Sequence, residues 1–327
     1  MKVLDHNINS KFCRVVMIYC IVCRVCESMG PALIKRNLNT EEMALNEKIE
    51  YSINLLRKAE QIAMEYSDKG FFLAFSGGKD SQALYHVAKL AGVKFEAHYS
   101  LTTLDPPELV HFIKEKYPDV IIDRPKRTFL QLCLKKKTLP TRKMRFCCAE
   151  LKETQGAERV TLTGVRRQES VQRSKRNEFE VDKRKFSGTI DQFNRTRETE
   201  IVCVYGKDKI IVNPIITWTD KNVWTFLNEV VKVEHCILYD EGWHRIGCLF
   251  CPMASKKEIS KMEKRYPKYK DAIIRTIHRI REGHFLNDYK DLTDEEVFEW
   301  WKSKINMKEF YAMKKKQYKL DFKTEIL

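Results

Sequence analysis

The sequence predicts an α/β fold, a parallel sheet with flanking helices and a helical C-terminal extension, on three observations. Short apolar runs of strand length alternate with segments of helical period, and a glycine-rich turn joins the first run to the helix after it. Beyond residue 255 the chain is helical in period and basic.

The elements follow in order. Residues 1–38 are Cys-rich and show neither helical nor strand period, so residues 1–42 are expected to form a disordered leader. Cys20, Cys23 and Cys26, with Cys13 upstream, have metal-like spacing but no accompanying Gly, Pro or His turn, and Met29 and Met43 offer later starts. Thr40 is a plausible N-cap with Glu41 and Glu42 behind it, and Ile49, Ile53, Leu56 and Ala63 recur at helical spacing. Gly70 ends that helix, and residues 71–75 form a short apolar run between glycines, the mark of a buried strand. From Ser81 the residues Leu84, Val87, Ala88 and Ala91 mark a helix stopped by Gly92, and residues 93–99 resume strand alternation, which completes one βαβ unit.

Pro106-Pro107 opens a helix running to Tyr117, residues 120–122 make a third strand and residues 160–163 a fourth. Residues 201–204 and 210–212 read as a hairpin around Tyr205-Gly206-Lys207-Asp208. Thr219 caps a helix carrying Val223, Trp224 and Leu227, and helices are expected near 255–265, 267–282 and 293–304. Strands alternating with helices on one parallel sheet give a Rossmann-like arrangement.

Sixty Lys and Arg against 45 Asp and Glu leave a formal charge of +15, which favours anionic partners such as nucleotides, sulfate esters or nucleic acid. The basic residues crowd at 134–145, 159–185 and 302–323. Eleven cysteines without a credible export signal point to a reducing, cytoplasmic compartment and to metal or redox chemistry in place of a disulfide framework. The longest apolar run near the N-terminus, residues 15–22, is far short of the roughly 20 residues a membrane span needs, so no membrane partner is expected.

Ser76-Gly77-Gly78-Lys79-Asp80-Ser81 lies between a predicted buried strand and a predicted helix, where backbone N–H groups and a helix N-terminus can cradle an anion. The glycines allow close approach of a phosphate, Lys79 adds charge and the serines add hydroxyl donors. Its spacing differs from Gly-x-x-x-x-Gly-Lys-Ser/Thr. A second constellation is Cys147-Cys148 followed by Cys248-x-x-Cys251, and four thiolates at paired positions suit either a tetrahedral zinc ion or a cubane iron–sulfur cluster.

The six-residue loop resembles the pyrophosphate (PP) loop of the ATP-pyrophosphatase superfamily, whose members typically cleave ATP to AMP and pyrophosphate. The further motifs narrow the resemblance to the phosphoadenosine phosphosulfate (PAPS) reductase branch and cover residues from about 45 to 275. The resemblance implies an adenine nucleotide on Ser76, Gly77, Gly78, Lys79, Asp80 and Ser81. The Cys-Cys pair and distant Cys-x-x-Cys are similar to adenylylsulfate (APS) reductases, where they hold a [4Fe-4S] cluster; zinc is the alternative. Lys152 matches a family lysine between cluster and substrate, so Lys79 and Lys152 are the expected catalytic lysines. Thr163-Gly164-Val165-Arg166-Arg167 resembles the anion-binding segment, with Gly164, Arg166 and Arg167 as site residues, and Asp105 falls where relatives contact adenosine or metal. Pro214-Ile215-Ile216-Thr217-Trp218-Thr219 and the run from Tyr239 to Cys248 match the same family. The implied division is a PP-loop domain over 43–254 and a basic helical extension over 255–327.

Two departures shape the expected function. The chain has no cysteine after Cys251, where sulfonucleotide reductases carry their nucleophile, and its loop is complete where theirs is eroded. Both favour ATP with Mg²⁺ as cofactors, adenylylation-type chemistry linked to sulfur metabolism, and an anionic or sulfur-containing acceptor. The alternatives are reduction of PAPS or APS through another thiol, Cys133, Cys203 or Cys236, with a thioredoxin-like or ferredoxin-like reductant, and a nucleic-acid sulfur-modification component.

Overall fold

The computed structural model describes residues 44–153, 155–156, 158–181, 186–199, 209–282, 291–303 and 305–324. The leader and its cysteines, and the expected Thr40 cap, lie outside these residues. Helix α1 (Leu45–Tyr66) starts where the Glu47 carboxylate accepts the Ala44 N–H at 3.1 Å, and it buries Leu55, Leu56, Ala59, Ile62 and Ala63 on one face. Strand β1 (Phe71–Ala74) follows, then α2 (Lys79–Ala91), β2 (Phe95–Ser100), α3 (Pro107–Lys116) and β3 (Ile121–Asp123), the βαβαβ order expected. Helix α2 begins two residues before the expected Ser81, because Gly78 is extended and acts as its N-cap.

Helix α4 (Phe129–Lys136) was not anticipated, although its signal is in the sequence. Thr128 and Gln131 form a reciprocal capping box, and Phe129, Leu132 and Cys133 share a buried face. A helical turn, Phe146–Cys148, continues as a wider π-type turn, Ala149–Glu153, and leads into β4 (Val160–Leu162). Next come β5 (Phe179–Val181), β6 (Phe186–Gly188), α5 (Ile190–Thr199), β7 (Ile210–Val212) and α6 (Asp220–Thr225), the last capped by Thr219 as expected. Helices α7 (Lys256–Arg265), α8 (Pro267–Glu282), α9 (Asp294–Ser303) and α10 (Met307–Thr324) close the chain.

The seven strands lie in the order β3-β2-β1-β4-β7-β5-β6. The first five are mutually parallel, while β5 pairs antiparallel with both β7 and β6. The sheet is therefore mostly parallel with an antiparallel edge. Strand β7 has β4 on one side and β5 on the other, in place of the hairpin expected for residues 210–212; the arm at 201–204 lies outside the described residues. The β5–β6 hairpin escaped notice because three-residue strands carry too little alternation to register.

Strand order reverses between β1 and β4: the chain steps outward from β1 through β2 to β3, then returns to β4 on the other flank. In parallel sheets the crevice at the carboxyl ends of such a pair is where ligands bind. The basic helices after residue 255 pack into the same core as the sheet. Phe250 meets Phe298 edge-on at 5.8 Å, and the buried Trp301 indole N–H donates to the Pro140 carbonyl at 2.6 Å. No helix among the described residues is long and apolar enough to cross a membrane.

Candidate functional site

The phosphate-type loop leaves β1 and enters α2 in the β1/β4 crevice. Gly77 has φ +71°, and a Cβ there would stand 2.7 Å from the Leu109 and Ile113 side chains, so both backbone shape and space demand glycine. Ser81 Oγ accepts the Ser76 N–H at 3.1 Å and donates to the Gly78 carbonyl at 2.8 Å, which draws the loop into a tight cup. The first-turn N–H groups of α2 open into that cup without intrahelical partners, at the positive end of the helix dipole. Across the crevice, a Cβ on Gly164 would come within 2.8 Å of the Asp80 carbonyl, so the segment after β4 touches the start of α2 through a glycine.

Two cations and two carboxylates interlock above the loop. The nearly buried Lys79 ammonium lies 3.2 Å from Asp80 and 3.0 Å from Asp220. The buried Arg166 guanidinium spans the same pair, with Nε 2.6 Å from Asp80 and Nη2 3.0 Å from Asp220. Burial would raise the Asp220 carboxyl, but the hydrogen bond and charge of Lys79, with Arg166 beyond, hold it below the usual carboxylate range. Arg167 goes elsewhere, to the Arg176 carbonyl and to Asn177. The backbone is extended at Arg166, so the neighbouring side chains diverge and do not form a paired clamp on one anion.

Asp105 sits in the loop after β2 and accepts the N–H groups of Thr102 at 2.7 Å and Thr103 at 3.1 Å. The same loop anchors the Cys-x-x-Cys segment, since Leu249 N–H donates to the Leu104 carbonyl at 2.6 Å. Cys147, Cys148, Cys248 and Cys251 line one narrow cavity together with Lys152, Thr102, Phe129 and Leu151. Cys147 and Cys148 share a thiol–thiol hydrogen bond. The hydrogen bond from Cys147 lowers the Cys148 thiol against the opposing effect of burial, with Arg145 assisting, while the same bond and burial push Cys147 up. Burial also raises Cys251. Desolvation would lower the Lys152 ammonium, but Cys248 and Asp105 outweigh it and raise its pKa. Among the described residues no three His, Cys, Asp or Glu side chains stand close enough to share a single metal ion.

The structure thus brings Ser76, Gly77, Gly78, Lys79, Asp80, Ser81, Gly164 and Arg166 into one cluster, and the four cysteines, Lys152 and Asp105 into another. Burial pushes the Cys133 thiol up to about 12 and also raises Cys236, which argues against either as a nucleophile; Cys203 lies outside the described residues. Sequence reasoning missed Asp220, Arg145 and Tyr239 as neighbours of these clusters. Tyr239 accepts the Lys79 backbone N–H at 2.9 Å from 160 residues away, and no local pattern could have disclosed that contact.

An anion-shaped loop at the switch point of a mostly parallel sheet defines a nucleotide-binding α/β domain. The profile of the phosphoadenosine phosphosulfate reductase domain matches residues 70–254, more than half of the chain, and the protein belongs to that family. One uncharacterised protein of Methanocaldococcus jannaschii is 30% identical over 206 residues, covering 59% of this chain and 44% of that relative. An uncharacterised 37.8 kDa protein of Escherichia phage 186 is 29% identical over 151 residues, 42% of this chain and 39% of the relative. The chain therefore spans less than half the length of these curated relatives. Among solved structures, the PAPS reductase of Candida auris in complex with phosphate aligns with TM-score 0.41 and 15% identity over 63% of this chain and 95% of that one. The FMN adenylyltransferase of Candida glabrata aligns with TM-score 0.39 and 14% identity over 68% and 76%.

Proposed function

We propose that the protein binds Mg·ATP on the 76–81 loop and cleaves it to AMP and pyrophosphate, transferring the adenylyl group to an anionic or sulfur-containing acceptor. An acceptor oxygen attacks the α-phosphorus, the bond to the β-phosphate breaks, and pyrophosphate leaves with the electron pair. The observation that carries this reading is the complete loop, glycines, lysine and serines in place, at the head of α2 in the β1/β4 crevice. The Lys79–Asp80–Arg166–Asp220 network suits such a ligand because its charges cancel. A polyphosphate could take up the cations while its divalent ion takes up the carboxylates, leaving no buried charge unpaired.

The second half of the proposal concerns the cysteine cavity, whose four thiols, flanked by Arg145 and Lys152, fit a [4Fe-4S] cluster. A four-iron cube is wider than one ion and asks its thiols to stand farther apart than zinc does. When bound, the cluster would supply one-electron capacity and a fixed charge beside the nucleotide. Lys152 would then hold a positive charge between the thiolates and Asp105, as a neighbour of the acceptor's anionic group.

Anaerobic incubation with Mg·ATP and candidate acceptors tests the reaction directly. AMP and pyrophosphate should appear, and Lys79→Ala should slow their release by about 10²–10³, the scale for losing one preorganised charge-stabilising donor. Tight binding of PAPS or APS without ATP turnover, and sulfite release with thioredoxin, would replace this reading with a reductase.

A further inference from the structure

The Tyr239 hydroxyl sits inside the phosphate cup, and three separate features place it there. It accepts the Lys79 backbone N–H at 2.9 Å, one of the donors at the head of α2 that face an incoming anion. A Cβ built on Gly78 would approach the same hydroxyl at 3.3 Å, so glycine at 78 leaves room for the tyrosine as much as for a ligand. Burial above all, with the carboxylates of Asp80 and Asp220 adding to it, raises the phenol's pKa and keeps its proton in place, and the Lys79 whose N–H it takes is itself paired to both carboxylates. The ring is held from behind by Trp224, edge-on with centroids 5.1 Å apart at 90°, and the backbone turn is fixed by the Tyr239 N–H donating to the Cys236 carbonyl at 3.0 Å.

A phenol has one proton to give and two lone pairs to share. One lone pair takes the Lys79 N–H, and among the described residues the Tyr239 O–H donates no hydrogen bond. The phenol is half buried and one of its hydrogen bonds is made, so the other is left for whatever enters the cup. A phosphoryl oxygen is the acceptor that the surrounding N–H groups, Lys79 and Arg166 also favour.

We propose that Tyr239 is a phosphate-binding residue, its O–H donating to the polyphosphate held by the 76–81 loop while its oxygen keeps the Lys79 N–H. This rests on the loop binding a nucleotide polyphosphate, and it adds to the loop a donor from a segment far along the chain. The chemical class of the ligand is the pyrophosphate moiety itself, with or without its adenosine. The segment carrying Tyr239 thereby couples the cup to Trp224 and to the His235–Asp240 pair, whose side chains are 2.8 Å apart.

Calorimetric titrations of the wild type and Tyr239→Phe with Mg·ATP, inorganic pyrophosphate and adenosine decide the matter. The variant should lose about 10-fold or more in affinity for ATP and for pyrophosphate, the scale of one hydrogen bond to a charged acceptor, and nothing for adenosine. Equal or tighter pyrophosphate binding would show the hydroxyl to be a competitor or a simple brace, and equal losses for adenosine would show a collapsed site; either overturns the proposal. Site-specific 3-fluorotyrosine at 239 keeps every packing contact and makes the O–H a stronger donor, so pyrophosphate should bind more tightly. Unchanged or weaker binding to that protein counts against the proposal even if the Phe variant does not fold. A wild type that binds pyrophosphate but never turns over ATP would leave Tyr239 its role and remove the ATP-cleaving reading; one that binds neither ligand removes both.

Discussion

Six consecutive residues, 76–81, build the phosphate loop, whereas the four thiols of the second cavity come from two pairs separated by 100 residues. The two regions follow adjacent strands, the loop leaving β1 and the Thr102–Asp105 turn leaving β2, where Leu104 anchors the Cys-x-x-Cys segment. They differ in how each is held together without a ligand. The loop's side chains are satisfied without a ligand, with Ser81 bonded to the backbone and Lys79 and Asp80 paired to opposite charges. The cysteine cavity gathers four groups that repel one another once ionised, with Arg145 and Lys152 close by to offset part of that charge. A site made from backbone can exist empty, while a site made from like-charged side chains would need a bound cation to offset its charge.

Cys248→Ser or Cys251→Ser should perturb the molecule most. Protein purified anaerobically should be brown and hold about four irons per chain, as cubane ligation requires, and either variant should lose iron and folded stability together. Metal analysis alongside thermal unfolding checks both at once. Stoichiometric zinc without sulfide would assign the cavity to a single ion, and an unaltered melting temperature with unaltered metal content would make these cysteines ordinary core residues.

The loop should respond to a different insult. Arg166→Ala removes the buried cation that spans Asp80 and Asp220 and leaves Lys79 alone between two carboxylates. Breaking a fully buried pair costs about 3–5 kcal/mol; with Asp220 half exposed, about 2–3 kcal/mol is expected here. Chemical denaturation measures it, and Arg166→Lys should recover only part, because a lysine ammonium is a point charge and cannot reproduce the separate Nε contact to Asp80 and Nη2 contact to Asp220 that the planar guanidinium makes. A loss below about 0.5 kcal/mol would mean that the loop is shaped by its backbone alone.

What could be read in the sequence divides along the same line. The loop, its flanking strand and helix, and the capped helix at Thr219 were legible because each is specified within a few residues. The cysteine pairs were legible as chemistry, but nothing local said that the turn after β2 would join them. Arg166 and Arg167 read together as residues of one anion-binding segment, and the extended backbone at Arg166 sends them to different partners. Asp220 and Tyr239 were not legible as site residues, since Asp220 only follows the Thr219 cap and Tyr239 only opens the family-like run to Cys248, with nothing local to give either a role. The antiparallel edge was missed for a simpler reason: strands of three residues owe their pairing to their neighbours and carry no period of their own.

The smallest expected effect is a pH dependence, and it separates the loop's charge network from ordinary surface ion pairs. Asp220 has a folded-state pKa below its unfolded value of about 3.9, because Lys79 and Arg166 favour its charged form more than burial opposes it. Folding then releases a proton near that pKa, so the stability contributed by Asp220 is fully present above about pH 5 and disappears as pH falls through the lowered folded value. Asp220→Asn keeps the shape and cannot ionise, so its unfolding midpoint should lie below the wild type's at neutral pH and merge with it only as pH falls below the lowered folded value. The gap should be modest, a few tenths of a kcal/mol up to about 1, because the carboxylate is half exposed and solvent screens it. Salt distinguishes the two kinds of pair: raising ionic strength should erase an exposed ion pair's share but leave most of this one, since Arg166 and Lys79 are both nearly buried. Parallel curves at all pH values would show that Asp220 acts only through its hydrogen bonds, and that the cup needs Asp80 alone to balance its cations.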